Sequence, residues 1–122
     1  MKLLFICSAN ALRSPTAEAV FSRYNGIEAA SAGIHADAET PVSADLVEWA
    51  DVVVAMEQHH AQFLQKHFGY LLRRKRVAVL GIPDRYEYMD PELIQILKDR
   101  VEPQLPRWQN EIADEGRDNG NS

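Results

Sequence analysis

The chain has 122 residues, 46% hydrophobic and 25% charged, which suits one domain around a single core, and no second domain is expected. A formal net charge of -5 argues against a protein built to grip nucleic acid, because that task needs a surplus of Lys and Arg on the binding face. A single cysteine forms no internal disulfide, which excludes a cross-linked secreted scaffold and makes a reducing cytoplasm the expected setting.

In chain order, the apolar run Leu3 to Cys7 predicts a strand buried on both faces, and it is shorter than the roughly 7 to 15 apolar residues of a signal-peptide core. Ser14-Pro15 predicts a helix start, with Ala17, Val20, Phe21 and Tyr24 at the spacing of one helical face and Asn25-Gly26 as the stop. Ile27 to Ala32, closed by Gly33, is the second predicted strand. A helix capped by Ser43 follows, with Leu46, Val47 and Ala50 inward, and Val52 to Met56 is the third strand. Phe63, Leu64 and Phe68 mark the buried side of the next helix, and Val77 to Leu80 is the fourth strand, after the basic turn Arg73 to Arg76. That turn reads as solvated rather than as a nucleic-acid or lipid patch. Leu93, Ile96, Leu97 and Val101 define a last helix stopped near Pro103, with Trp108 expected on the surface beyond it.

Strands alternating with helices imply an α/β fold, a parallel sheet with helices on both faces in a three-layer sandwich. Residues 1–108 form the predicted domain. Residues 109–122 hold Glu111, Asp114, Glu115 and Asp118 with few apolar side chains, so a polar, disordered tail is expected. No run approaches the roughly 20 apolar residues that span a bilayer, so no membrane association is expected.

The segment Cys7-Ser8-Ala9-Asn10-Ala11-Leu12-Arg13-Ser14-Pro15 lies between the first strand and the first helix, at the carboxyl end of the sheet, where open α/β folds bind ligands. Successive backbone N–H groups from Ser8 to Leu12, wrapped in a tight arc at a helix N-terminus, make a cradle for a phosphate dianion. Arg13 closes the arc with a planar fork suited to two phosphate oxygens. The same positive field favours a Cys7 thiolate, a nucleophile at neutral pH. Ser14 has two competing uses, as helix cap and as hydroxyl donor to that sulfur. The spacing Cys-x5-Arg alone is weak, because a buried cysteine at a strand end and a surface arginine would also produce it.

On Cys7, Asn10, Arg13, Ser14 and Pro15 the sequence resembles the low-molecular-weight protein tyrosine phosphatases, whose loop reads Cys-x-Gly-Asn-x-x-Arg-Ser. The likeness continues through Thr16 to Phe21, Ser31-Ala32-Gly33 and Ala50-Asp51, and is closest to a shorter, bacterial-type branch of that group. The resemblance implies a flavodoxin-like sheet in order 2-1-3-4 and a phosphomonoesterase that needs neither metal nor cofactor. It further implies a cysteinyl-phosphate intermediate on Cys7, with Arg13 as clamp, Ser14 as partner of the thiolate and Asn10 as brace of the loop. It assigns a general acid to the segment Ile82-Pro83-Asp84-Arg85-Tyr86, where Asp84 is the candidate. Asp90 is the alternative, although Pro91 after it suggests a helix cap instead. Tyr86 and Tyr88 are candidates for an aromatic wall around a phenyl ring.

Three positions depart from the family pattern. Ala9 replaces the loop glycine and would be strained if its φ were positive. Leu12 replaces a second loop cysteine, and Arg85 replaces a proline beside the acid. His35, His59, His60 and His67 show no metal-ligand pattern and are expected to be solvated, while Glu57 to His60 opens a helix on the rim of the site.

The expected partners are a phosphorylated protein or a small aryl phosphate as substrate and inorganic phosphate as product. Two alternatives stay open: a phosphate-binding pseudo-phosphatase with little turnover, and an arsenate reductase that borrows an external thiol.

Overall fold

The computed structural model describes residues 1–120, the side chains as far as residue 113. Four parallel strands, β1 (Lys2–Cys7), β2 (Glu28–Gly33), β3 (Val52–Ala55) and β4 (Arg76–Val79), lie in the order β2-β1-β3-β4. The helices are α1 (Arg13–Phe21), α2 (Ala44–Trp49), α3 (Gln58–Leu72), α4 (Pro91–Val101) and α5 (Leu105–Gly120), with a short 3-10 turn at Glu102–Gln104. The three-layer α/β sandwich and the 2-1-3-4 order therefore hold, and the flavodoxin-like arrangement with them.

Successive residues of a strand point to opposite faces, and β1 shows the consequence directly. Leu3, Phe5 and Cys7 join Ala17, Val20 and Phe21 of α1, Leu93 and Leu97 of α4 and Trp108 of α5 in one apolar cluster. Leu4 and Ile6 join Val47 of α2 and Leu64 and Leu72 of α3 in the other. Cys7 thus ends the central strand on the α1 side, with β2 and β3 paired to either flank of β1.

Ser43 caps α2 by accepting the Leu46 N–H at 3.3 Å, and Asp90 caps α4 by accepting the Glu92 N–H at 2.9 Å with Pro91 as the first helical residue. The expected start of α1 is corrected. α1 begins at Arg13 rather than after Ser14, and Leu12 at its N-cap makes no side-chain capping bond.

α5 occupies residues 105–120, where a disordered tail from residue 109 is expected; Asn121 and Ser122 lie outside the described residues. Trp108 is not on the surface but fully buried, and Leu105 and Ile112 pack against the same cluster. Trp108 and Ile112 are one helical turn apart, and truncating a buried indole costs about 3–5 kcal/mol in cores of this kind. That burial outweighs the polar composition around it. Glu111 adds a fork to Arg76 of β4.

Candidate active site

The loop from Cys7 to Arg13 is shaped by where its carbonyls go. Cys7 O accepts from Ile34 N at 3.0 Å, Ser8 O from His35 N at 3.1 Å and Ala9 O from Glu39 N at 3.2 Å. Leu12 O accepts from Thr16 N at 3.2 Å and from Thr16 Oγ1 at 2.7 Å. With the carbonyls turned outward, the N–H groups of Ser8 to Leu12 donate to no protein acceptor among the described residues, the polarity an oxyanion requires.

The left-handed residue of the loop is Asn10 at φ 55°, a residue type that tolerates that region. Ala9 has no positive φ, so the strain expected there does not arise. The glycine that matters is Gly33 at the end of β2. A Cβ on it would meet Ser8 O at 2.5 Å, Ala38 Cβ at 2.7 Å and Asn10 N at 2.9 Å, so the bare backbone of β2 is what lets the loop close over it.

Cys7 is almost fully buried, and its Sγ lies 2.9 Å from Ser14 Oγ. Asn10 Nδ2 donates to the same hydroxyl at 2.9 Å, and Ala32 O is 3.5 Å away, so the shortest line for the hydroxyl proton runs to the sulfur. Ser14 lies inside α1 and serves the sulfur, not the helix cap, and Asn10 braces it.

Arg13 is 2% exposed. Its Nη1 donates to Glu57 Oε2 at 2.6 Å and to Ile82 O at 2.8 Å, which fixes the plane of the guanidinium and leaves the Nε–Nη2 edge for an oxyanion. Asp84 Oδ1 stands 3.7 Å from Nε. Cys7, Ala9, Ala11, Leu12, Arg13 and Asp84 line one cavity of about 60 Å³. A larger hollow of about 320 Å³ between α1 and α4, with Arg23, Tyr24 and Lys98 on its wall, contains neither a thiol nor a carboxylate.

Tyr86 does not line the site. Its ring is 4% exposed within the α1-side core, and Arg85 stacks on it at 5.4 Å. Tyr88 is 53% exposed. Asp90 is committed to α4, so of the two candidate acids only Asp84 shares the cavity with Cys7.

The sequence reading missed His60 as a contributor and gave Glu57 only a rim position. His35, His59 and His67 are exposed as expected, but His60 is fully buried. Its Nδ1 accepts the Glu57 backbone N–H at 3.0 Å, and its Nε2 is 2.9 Å from Ser8 Oγ. The Glu57 side chain in turn accepts from the His60 backbone, closing a capping box at the start of α3. The pair Glu57-x-x-His60 after a buried strand was the available signal.

The hydrogen bond from Arg13 holds the Glu57 carboxyl below the usual carboxylate range, against the opposing effect of burial. Burial, aided by the positive charge of His59 and Arg13, pushes His60 down to about 4. Unfolding restores its ordinary value near 6.5, so the unfolded chain takes up this proton first as pH falls. Stability from this residue is complete above pH 6.5 and drains away toward pH 4, a loss on the order of 3 kcal/mol. Denaturant titrations at pH 7 and pH 4.5 should show that slope in the native chain and a shallower one in His60→Gln.

Ligand atoms of Glu57, His59 and His60 lie within 4.8 Å of one another. Both His60 nitrogens and the Glu57 carboxylate already have protein partners, so a cation there would have to break the capping box and the bond to Arg13.

The family described as low molecular weight phosphotyrosine protein phosphatase matches residues 2–45, from β1 through the loop to the start of α2. A protein-arginine-phosphatase of Bacillus subtilis is 28% identical over 96 residues, an alignment that takes in 57% of this chain and 64% of that protein's length. The YwlE arginine phosphatase of Geobacillus stearothermophilus superposes with a TM-score of 0.66 at 21% identity, covering 90% of this chain and 96% of the other. The tyrosine phosphatase Wzb of Escherichia coli K30 superposes with a TM-score of 0.67 at 20% identity, covering 87% and 96%. These two are likenesses of fold. By its loop, its sheet order and the match over residues 2–45, the chain is similar to the low-molecular-weight phosphotyrosine protein phosphatases, in sequence over that segment and in fold over the sheet.

Proposed function

We propose that the chain is a thiol-dependent phosphomonoesterase acting on phosphorylated protein side chains, phosphotyrosine foremost. One observation carries the reading: Cys7, Arg13 and Asp84 line a single cavity of about 60 Å³ together with a loop whose N–H groups from Ser8 to Leu12 have no protein acceptor among the described residues. That volume suits a phosphoryl group and leaves the rest of the substrate outside.

The Cys7 thiolate attacks phosphorus, forming the S–P bond as the ester P–O bond breaks, while Asp84 gives its proton to the leaving oxygen. Arg13 and the loop amides hold the three equatorial oxygens as charge spreads over them. Asp84, now a carboxylate, takes a proton from water, whose oxygen attacks the phosphocysteine and returns the thiolate with inorganic phosphate. Ser14 donates to the sulfur when it leaves. No step calls on a metal or a cofactor.

Asp84→Ala is expected to lower turnover of phenyl phosphate by about 10²-fold, with a smaller loss on p-nitrophenyl phosphate, whose leaving group needs less protonation. Equal losses on the two esters would remove Asp84 from the role of acid. The absence of strain at Ala9 takes away one reason to read the domain as a non-catalytic binder, and phosphate binding without hydrolysis of any phosphoester or phosphoramidate would restore that reading.

A second substrate has its own support. Among the described residues no aromatic side chain lines the cavity, its rim residues Ala9 and Ala11 are small and exposed, and the Asp84 carboxyl is 62% exposed, where a guanidinium would meet it. A phosphoarginine side chain fits that rim, in keeping with the name of the Bacillus relative. Release of phosphate from phosphoarginine and phosphotyrosine versions of one peptide, compared by kcat/KM, decides between them.

A further inference from the structure

The loop is held at both ends by the first turn of α3. At its carboxyl end Arg13 Nη1 is bound by the Glu57 carboxylate, and at its amino end Ser8 Oγ meets His60 Nε2. The direction of the second bond follows from the first turn itself. An amide N–H points at His60 Nδ1, so that nitrogen is bare, the ring is neutral and the proton sits on Nε2. Ser8 Oγ is therefore the acceptor.

We propose that His60 is a positioning residue for the oxyanion cradle, a neutral imidazole that donates Nε2–H to Ser8 and so fixes the first peptide of the loop after the Cys7 sulfur. The proposal rests on reading the loop as a phosphate cradle. The ring is fully buried, so water does not compete for either nitrogen. The charged and titratable groups around it are Arg13 from α1, His59 and Glu57 beside it and His35 from the segment after β2, and the cationic ones oppose a second proton on the ring. Burial of the ring acts in the same direction, which keeps the donor and acceptor roles unchanged across the neutral range.

Two substitutions separate the two arms of the imidazole. The Asn Oδ1 reaches where His Nδ1 stands, so His60→Asn keeps the acceptor for the Glu57 N–H and loses Ser8. The Gln Nε2 reaches where His Nε2 stands, so His60→Gln keeps the donor to Ser8 and loses the cap. Calorimetric titration with inorganic phosphate, read beside thermal unfolding, tests the idea without recourse to turnover. His60→Asn is expected to bind phosphate about tenfold more weakly at nearly unchanged Tm, and His60→Gln to bind like the native chain at a Tm lower by several degrees. Ser8→Ala, which leaves α3 untouched, should lose the same factor, Ser8→Thr should retain affinity, and Ser8→Ala with His60→Asn should be no worse than either alone.

Native-like phosphate affinity in His60→Asn or in Ser8→Ala, or losses that multiply in the double variant, would overturn the role of His60 while leaving the cradle intact. Failure of the native chain to bind phosphate would overturn the cradle and this proposal together.

Discussion

Replacing Cys7 by serine is expected to reduce phosphatase activity by roughly 10³-fold or more, to the limit of detection, while leaving the fold in place. Sulfur and oxygen differ little in size at this site, the side chain is buried at the end of β1, and the neighbouring Ser14 hydroxyl can bond either atom. What is lost is the sulfur nucleophile of the proposed mechanism, since a serine hydroxyl is a far weaker acid than a thiol and has no general base among its hydrogen-bond partners here. Phosphate binding should survive, because the loop amides and Arg13 are untouched. The pair of measurements separates chemistry from recognition: turnover by release of p-nitrophenol, and phosphate affinity by calorimetry. Residual turnover within tenfold of the native rate would place the nucleophile elsewhere and end the thiol mechanism.

Gly33→Ala is expected to be a damaging change, for among the described glycines it is the one whose added Cβ would press on backbone of the loop. The added Cβ would lie 2.5 Å from Ser8 O and 2.9 Å from Asn10 N, both backbone atoms of the phosphate loop, and 2.7 Å from Ala38 Cβ. None is the flexible tip of a side chain, so the loop itself must move. Overpacking of this kind costs about 1–3 kcal/mol, and displacing a catalytic loop by about 1 Å costs about 10²-fold in rate. The expected result is a lowered denaturation midpoint together with a fall in kcat/KM and in phosphate affinity. Unchanged affinity at reduced stability would mean that the strain is absorbed by the 34–38 turn and that β2 does not set the shape of the cradle.

Much of this arrangement was legible in the residues. The apolar run of β1, the Ser43 and Asp90-Pro91 helix starts and the place of the loop between strand and helix all follow from local chemistry, and local chemistry is what a sequence displays. Ser14 was ambiguous because Ser-Pro reads as a cap. The chain turns helical already at Arg13, since the end of the loop has to bring its amides inward. His60 was half legible for a different reason: the Glu57-x-x-His60 spacing offers a capping box, but only the fold brings Ser8 to its Nε2 across 52 positions. Tyr86, expected in an aromatic wall, and Trp108, expected on the surface, are both core anchors. In both cases burial of the ring outweighed the composition of the segment around it.

The alternation of side chains along β1 has an evolutionary consequence. Whether the thiol opens toward the guanidinium or toward the opposite layer of helices depends on an odd or even count of residues from the strand's start. Descendants of this chain are therefore free to exchange one aliphatic side chain for another between Leu3 and Ile6, but insertion or deletion of a single codon there inverts the count and separates the reacting atom from its anion trap.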